Sequence, residues 1–507
     1  MAARLEETLD PEDWQAAARI AHGALDQAVA HLRDLRKRPP WQEMPEDVCA
    51  FFEGPLPRDP QPLEAVLRSV EEMVMPYPMG NGHPRFWAWY MGSGNLTGAL
   101  ADFLAAVQGS NLGGGRHAAA LVEQQVVRWC KEMVGFPPTA SGTLVSGGSI
   151  ANLLALTVAR NETAGIAVRE VGLGALERPL RFYGSDQLHS CHRKAVETLG
   201  LGNCALRRIP SDPDFRLDLP ALREAIAEDR AAGLRPACII ANAGTVNSGA
   251  IDDLPALAAL AEQEGLWFHI DGCIGALIAL APHSCQLVAG LGRADSLALD
   301  PHKWLHAPFD VGCCLIRDAS AHRAAFATTP EYLEEAPRGL AAADWLFELD
   351  LQMSRSFRAL KVWMALKEQG AAKFGRLIEQ NIAQARHLTR LIEASPFLRL
   401  MAPTTINIVC FRFEAEGLDE AELKILNREI MLRLQEEGLA VLSDTTLRGR
   451  HCLRVAICNH RTRSHDLEFL VVAILRLGQE IVAPLEKDPA GAGGGPTPGK
   501  WPSGPAR

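Results

Sequence analysis

The sequence lacks both an excess of positive charge and a long basic run. Its 51 lysine and arginine residues are outnumbered by 61 aspartate and glutamate residues, so the net charge is −10. Nucleic-acid binding without sequence preference depends on clustered cations that neutralise phosphates, and we do not expect it here. No apolar run reaches the roughly 18 residues of a membrane-spanning helix, so we expect no membrane partner. The first residues, MAARLEETLDPEDW, are acidic where a secretory signal peptide is apolar, so we expect a cytoplasmic protein.

The sequence also lacks the paired cysteine spacing of a zinc site. Its 12 cysteines are scattered, and most lie in apolar segments such as those around Cys238 and Cys410. A free cysteine in such a segment behaves as a small hydrophobic residue. His189 and His192 flank Cys191, but no second group of ligands lies nearby in the sequence. We therefore expect no metal.

Apolar, β-rich segments alternate with helical segments through the centre of this 507-residue chain. The segments GTLVSGG, PACIIANAG, LWFHIDG and ADSLALD are almost wholly apolar, as strands are when both faces of their sheet are covered. Strands that alternate with helices predict an α/β domain with a parallel sheet.

The regions on either side of this centre differ from it. The N-terminal region has two amphipathic helices but no core of its own, so we expect it to pack on the main domain or on a second subunit. The C-terminal residues are rich in glycine and proline, which predicts disorder. The predicted units are an N-terminal helical arm (1–90), a large α/β domain (91–375), a small α+β domain (376–485) and a disordered tail (486–507).

A lysine stands among apolar residues directly after the last predicted strand. In DSLALDPHKWLHAPFD the strand ends at Asp300, and Lys303 follows among proline, histidine and tryptophan. An amine in a partly dehydrated site has a lowered pKa and can form a Schiff base with an aldehyde. The alternative is a loop lysine whose stem lies on Trp304 while its charged end stays in water.

Three other segments suggest parts of a binding site. Asp271 ends the predicted strand LWFHIDG, and a buried carboxylate there needs a cation such as a pyridinium nitrogen, unless it only caps the next helix. Gly148 and Ser149 begin a helix directly after a strand, where backbone N–H groups bind phosphate, or where the serine is a simple cap. His189 follows a short strand, and its ring could stack on an aromatic cofactor or be structural.

Together these segments resemble those of one enzyme family. The stretches SGGSIAN, SDQLHS, GTVNSGAID, HIDGCIGA, DSLALDPHKWL and SRSFRALKVW are similar to those of the group II pyridoxal-phosphate-dependent amino-acid decarboxylases. The resemblance extends from HPRFWAWY, near residue 83, to LRVAICNHRT, near residue 453. It implies the type I fold of PLP-dependent transferases, a large sheet domain with a smaller C-terminal domain, pyridoxal 5'-phosphate (PLP) as cofactor, and a homodimer with an amino-acid substrate.

The resemblance also implies the roles of individual residues on the ring side of the cofactor. Lys303 corresponds to the lysine that binds PLP covalently, Asp271 to the partner of the pyridine nitrogen, and His189 to the histidine that stacks on the ring. Tyr332, in TPEYLEE, matches the mobile-loop tyrosine of aromatic decarboxylases, which protonates the carbanion after CO2 has left.

On the phosphate side, the resemblance implies that Gly148 and Ser149 hold the phosphate with His302 nearby. Thr245 is expected beside the cofactor, with Asp252 supporting the same loop. The sequence departs from the family at Val246, where many relatives have a second hydroxyl residue. It also has Asp300 where relatives often have asparagine or alanine.

The substrate and the outcome of the reaction remain open at this point. Aromatic residues around Trp89 favour an aromatic or other large amino acid. Arg116 and His117 could instead meet an acidic side chain, as in the glutamate, aspartate or cysteine-sulfinate type of decarboxylase. A different PLP lyase, an aldehyde synthase or a homologue that has lost catalysis are further alternatives. Tyr332 favours the decarboxylase, because the aldehyde synthases of this family tend to replace it.

Overall fold

The computed structural model describes residues 7–328 and 336–486. Tyr332 and the predicted tail from residue 487 onward lie outside the described residues. Within these ranges, no helix is both long and apolar enough to cross a membrane.

The helices of the described chain are mostly amphipathic, and several begin at a side-chain cap. Asp13, Asn95, Asp218, Asp253 and Asp419 each accept hydrogen bonds from backbone N–H groups of the first turn that follows, which satisfies donors that a helix leaves free. The α-helices are α1 (Trp14–Arg33), α2 (Glu46–Phe51), α3 (Leu63–Ser69), α4 (Leu96–Gln108), α5 (Ala118–Met133), α6 (Gly148–Ala164), α7 (Val168–Val171), α8 (Ser190–Thr198), α9 (Leu219–Ala231), α10 (Leu254–Glu264), α11 (Pro301–Trp304), α12 (Ala319–Phe326), α13 (Ala359–Gln369), α14 (Ala371–Glu393), α15 (Glu420–Glu436) and α16 (Ser464–Glu486).

The strands form a seven-stranded sheet and a four-stranded sheet, with the orders β1-β7-β6-β5-β4-β2-β3 and β10-β11-β9-β8. The strands are β1 (Ser141–Val145), β2 (Leu180–Ser185), β3 (Leu206–Ile209), β4 (Arg235–Asn242), β5 (Trp267–Asp271), β6 (Ser296–Leu299), β7 (Gly312–Ile316), β8 (Leu398–Leu400), β9 (Ile408–Phe413), β10 (Ser443–Leu447) and β11 (Arg450–Ala456). Each of the four predicted central strands is present.

The large sheet is mixed, where the sequence analysis expected a parallel one. Strands β3, β2, β4, β5 and β6 pair in parallel, but β7 runs antiparallel to both of its neighbours, β6 and β1. Strand β7 follows β6 through a connection of only about a dozen residues around α11, with no long crossover helix to reverse its direction. Its apolar sequence, GCCLI, is buried throughout and therefore looks like that of a parallel strand.

The small sheet is wholly antiparallel and has a separate core. Strands β8, β9, β10 and β11 are covered by α14, α15 and α16. The side chains of Leu388, Phe411, Leu426, Leu453 and Ile474 lie at the centre of this layer and are almost completely shielded from water.

Strand direction in the large sheet fixes the place of the site. Because β1, β2, β4, β5 and β6 all point the same way, their carboxyl ends meet at one edge, where α/β proteins commonly bind ligands. Strand β11 of the small sheet faces this edge through Arg454, whose guanidinium donates to the backbone carbonyl of Val246 at 2.5 Å. The N-terminal region closes a third side, since Trp87 donates its backbone N–H to Val441 and is fully buried in the core of the small sheet.

Candidate active site

A cavity of about 530 Å³ lies at the carboxyl edge of the large sheet. The strand ends, the small sheet and the segment around Trp89 enclose it. Six of the residues predicted from the sequence line this one cavity, namely Gly148, Ser149, His189, Asp271, His302 and Lys303. Segments more than 150 residues apart in the chain are therefore brought together as expected.

The start of α6 has the geometry expected of the predicted phosphate site. No side chain among the described residues caps this 17-residue helix, and Gly147, Gly148 and Ser149 line the cavity. Its first N–H groups are thus left for an anion. A Cβ on Gly148 would lie 2.4 Å from Cys273 Sγ and 2.8 Å from Asp300 Oδ2, so only glycine fits at this position.

His302 lies beside this helix start with a defined tautomer. Its Nδ1 accepts the backbone N–H of Val311 at 3.2 Å, which places the ring proton on Nε2. Burial lowers the pKa of His302, so the ring is a neutral donor. A Cβ on Gly147 would lie 3.1 Å from His302 Cε1, so the ring packs directly on the glycine turn.

Asp271 is held as a buried carboxylate at the end of β5. His192 Nε2 donates to Oδ2 at 2.9 Å, Asn152 Nδ2 donates to Oδ2 at 3.3 Å, and the backbone N–H of Cys273 donates to Oδ1 at 3.1 Å. Burial opposes ionisation, but the hydrogen bond from His192 and the charge of Lys303 hold the pKa of Asp271 well below its ordinary value. An ionised carboxylate at this place suits a protonated pyridine nitrogen.

The ammonium of Lys303 lies in the cavity and is paired with a carboxylate. Its Nζ lies 2.9 Å from Asp300 Oδ2 and 5.9 Å from the centre of the Tyr90 ring. Burial alone would lower the pKa of Lys303, but Asp300 raises it above its ordinary value. The expected lowering of this pKa is therefore wrong for the chain alone, because Asp300 stands one helical turn away from the lysine.

His189 lies where a ring could stack. It is the N-cap of α8, and its Nδ1 accepts the backbone N–H of Cys191 at 3.2 Å. Burial lowers the pKa of His189, so the ring that faces the cavity is neutral. A neutral, flat ring with a fixed orientation fits against the face of an aromatic cofactor.

Thr245 does not line the cavity, although its neighbours Gly244 and Val246 do. It is fully buried, its hydroxyl lies 3.0 Å from Ser248 Oγ, and it accepts the backbone N–H of Ala250 at 3.1 Å. In this structure the hydroxyl closes its own loop, and the contact of Thr245 with a cofactor stays a prediction.

Asp252 has the supporting position that was expected for it. It accepts the backbone N–H groups of Leu217 and Asn242, both at 2.7 Å.

Arg454 was missed by the sequence analysis. Its guanidinium is buried and lines the cavity, yet its hydrogen bonds go to uncharged oxygens of Trp89, Val246, Asn247 and Ser443. Among the described residues, no carboxylate lies within ion-pair distance of it. A lone cation in the apolar segment HCLRVAIC was the signal that could have identified it.

Arg116 and His117, the alternative contacts for an acidic substrate, do not line this cavity. Arg116 is exposed, and its backbone N–H donates to Leu340. His117 caps α5 and lies with its Nε2 3.2 Å from the carbonyl oxygen of Gly114.

Cys191, His192 and Asp271 each place a potential metal-ligand atom within 4.8 Å of the others. Burial raises the pKa of the Cys191 thiol, and a neutral thiol is a poor ligand. His192 already donates to the carboxylate. This cluster therefore belongs to the environment of Asp271, and we assign no metal to it.

The residues present fit PLP. An uncapped helix start suits its phosphate, a buried carboxylate suits its ring nitrogen, and a lysine within the same cavity suits its aldehyde.

Comparison with known proteins agrees with this fit. The pyridoxal-dependent decarboxylase conserved domain matches residues 45–414. An aromatic-L-amino-acid decarboxylase of Bacillus atrophaeus is 33% identical over 471 residues, which are 91% of this chain and 95% of the relative. A phenylacetaldehyde synthase of Arabidopsis thaliana is 28% identical over 463 residues, 89% of this chain and 93% of the relative.

Among solved structures, that of Oryza sativa TDC with PLP and tryptamine has a TM-score of 0.86 and 25% sequence identity, covering 93% of this chain and 99% of the other. With the domain match and the 33% identical relative, this shows that the chain belongs to the pyridoxal-dependent decarboxylase family, and that it is a PLP-dependent carboxy-lyase acting on an amino acid.

Proposed function

We propose that this enzyme decarboxylates an aromatic L-amino acid and releases CO2 and the corresponding primary amine. One observation carries the proposal, namely that the cavity places beside aromatic walls a buried guanidinium that has no carboxylate partner in the described part of the chain. Trp89, Tyr90 and Phe309 line the cavity, and Arg454 donates to the backbone carbonyl of Trp89. A substrate with one carboxylate and one aromatic side chain matches this pair of features.

Asp444 supports an aromatic substrate over an acidic one. Its side chain also lines the cavity, and His451 Nε2 lies 3.0 Å from its Oδ2. A second carboxylate on the substrate would meet this negative charge, although Asp444 is 35% exposed and Arg428 Nε lies 3.9 Å from its Oδ2, so the repulsion is moderate.

The roles of the residues follow from their positions. When bound, PLP supplies an electron sink for the bond between the α-carbon and the carboxylate. Lys303 binds the cofactor, Asp271 keeps the proton on its ring nitrogen, and His189 packs against the ring. Arg454 orients the substrate carboxylate, and the surrounding apolar walls exclude water from it.

The substrate class is tested by measuring CO2 and amine from phenylalanine, tyrosine, tryptophan, glutamate and cysteine sulfinate. We expect kcat/KM for at least one aromatic substrate to exceed that for both acidic substrates by about 10-fold or more, which corresponds to about 1.4 kcal/mol. Preference for glutamate or cysteine sulfinate would contradict the proposal.

The role of Arg454 makes a separate prediction. Arg454→Met removes a charge-assisted hydrogen bond to the α-carboxylate, so KM should rise by about 10- to 100-fold for every substrate. Arg454→Lys, which keeps the charge, should recover part of the loss. A rise confined to acidic substrates would show instead that Arg454 binds a side-chain carboxylate.

Tyr332 lies outside the described residues, and its proposed role rests on the resemblance of TPEYLEE to the loop of aromatic decarboxylases. If Tyr332 protonates the α-carbon, Tyr332→Phe should retain PLP and release CO2, but make aldehyde, ammonia and hydrogen peroxide in place of much of the amine. Oxygen uptake and product identity measure this change, with Tyr77→Phe as the control. An unchanged amine yield would show that another group delivers the proton.

The aldehyde-synthase alternative has one observation in its favour, the similarity to phenylacetaldehyde synthase. Wild-type enzyme that consumes oxygen and makes aldehyde as its main product would establish that alternative.

We also propose a homodimer in the cytoplasm. All 12 cysteines are free, which suits a reducing compartment. Apolar side chains that a monomer would leave in water lie on the N-terminal helices and on α4, and they include Leu25, Val29, Val66, Phe103 and Val107. Light scattering should give twice the mass of the chain, with an interface above about 2,000 Å². An active monomer would contradict the dimer.

A further inference from the structure

We propose that His192 is a positioning residue of this enzyme, whose Nε2–H fixes the Asp271 carboxylate in the orientation that pairs with the ring nitrogen of PLP. This inference rests on the proposed role of Asp271. The histidine itself does not line the cavity; it acts on the cofactor only through the carboxylate.

The start of α8 places two histidines at different distances from the cavity. His189, the N-cap, faces the cavity, whereas His192, three residues later, lies behind it and has no exposed surface. His192 Nε2 lies 2.9 Å from Asp271 Oδ2, the shortest contact of that carboxylate among the described residues. One short helix therefore positions both the histidine proposed to stack on the PLP ring and the histidine that holds Asp271, the proposed partner of the ring nitrogen.

The two oxygens of Asp271 have separate partners. Oδ1 accepts the backbone N–H of Cys273, while Oδ2 accepts from His192 and, at 3.3 Å, from Asn152 Nδ2. The amide of Asn152 is itself oriented, because its Oδ1 lies 2.7 Å from His269 Nε2. With Oδ2 held from two sides, Oδ1 is the oxygen left to meet the ring nitrogen.

The state of His192 follows from its second nitrogen. Nε2 needs its proton to donate to the carboxylate, and Nδ1 is buried without a hydrogen-bond partner among the described residues. A protonated Nδ1 would leave a buried charged donor unsatisfied, which costs more than a bare lone pair. We therefore assign a neutral ring, which adds no competing positive charge beside the pyridine nitrogen.

Other charged or titratable groups around the pair do not replace this hydrogen bond. Lys303 is paired with Asp300 at 2.9 Å, and among the described residues neither side chain is a hydrogen-bond partner of Asp271 or His192. Cys191 and Cys273 have thiols whose pKa is raised by burial, and His269 has its pKa lowered by burial to about 3, so all three are neutral at physiological pH.

The experiment compares His192→Leu, which removes the donor, with His192→Gln, whose Nε2–H can reach the same carboxylate. Val196→Ala on the same helix is the packing control. Val196 is as buried as His192, and it belongs to an apolar core cluster. Each holoenzyme is loaded with PLP labelled with ¹⁵N in the ring, and the ¹⁵N chemical shift reports the proton on that nitrogen. The Kd for PLP, kcat and KM are measured alongside.

We expect His192→Leu to move the ¹⁵N signal toward that of an unprotonated ring and to lower kcat by about 10- to 100-fold with little change in KM. This is the range for loss of one charge-assisted hydrogen bond. His192→Gln should restore the signal and most of kcat, and Val196→Ala should keep both. Should His192→Leu fail to fold, His192→Met is measured in its place with the same expectation.

A wild-type ¹⁵N signal and kcat in His192→Leu would overturn the inference. So would equal damage in His192→Gln and His192→Leu, which would assign the histidine a packing role only. Failure of the proposed function has a different signature, since an unprotonated ring nitrogen in the wild type would refute the role of Asp271 itself.

Discussion

Replacing Lys303 by alanine is expected to lower kcat by about 10²- to 10⁴-fold and to abolish the covalent link to PLP. The ammonium lies inside the cavity at 2.9 Å from Asp300, and the residues proposed to hold the phosphate and the ring line the same cavity. Borohydride reduction followed by mass spectrometry should find the cofactor on Lys303 in the wild type and on no lysine in the variant.

The matched control for this prediction is Lys194→Ala, which removes an exposed lysine from α8. It should leave the label, the visible absorbance and the activity unchanged. A label on any other lysine of the wild type, or a holoenzyme without a covalent link, would contradict the assignment of Lys303.

Asp271→Asn is expected to have the second-largest effect, a loss in kcat of about 10²- to 10³-fold with little loss of stability. Asparagine keeps the size of the side chain and can still accept the backbone N–H of Cys273, but it removes the charge that holds the proton on the ring nitrogen. A change of one pKa unit in that nitrogen corresponds to about 1.4 kcal/mol, and loss of a buried counter-ion should exceed it.

For Asp271→Asn, thermal unfolding measures the effect on stability, and the absorbance of bound PLP measures the effect on the cofactor. Asp252→Asn is the control, because Asp252 is also buried near a strand end but does not line the cavity, and it accepts from the backbone of Leu217 and from the backbone and amide of Asn242. It should reduce Tm more than Asp271→Asn does, while the cofactor absorbance stays normal. Near-normal turnover of Asp271→Asn would exclude the role that we assign to this carboxylate.

The parts of the site that could be predicted from sequence are those within about four residues of the carboxyl end of a strand of the large sheet. Gly148, Ser149, His189, Asp271 and Lys303 are of this kind, and all five line the cavity. Each stands in a local motif whose position follows from the direction of a single strand, so no tertiary information was needed.

Residues that act through contacts between distant segments could not be found this way. His192 reaches Asp271 across 79 positions of the chain, and Arg454 reaches Trp89 across 365. The pKa of Lys303 depends on the side-chain position of Asp300, which the local sequence does not fix. The reversal of β7 was hidden for a related reason, since burial on both faces gives antiparallel and parallel strands the same apolar sequence.

The hydrogen bonds of Arg454 have a consequence for assembly of the enzyme. One guanidinium joins β11, the carbonyl of Trp89 and the carbonyls of Val246 and Asn247, three stretches from the beginning, middle and end of the chain. The substrate anchor that we propose for Arg454 is therefore complete only after all three have folded and docked. We expect a ribosome-bound or truncated chain that ends before β11 to be inert even when its cofactor site is complete. The rate at which turnover recovers on refolding would then report the rate of this final docking step.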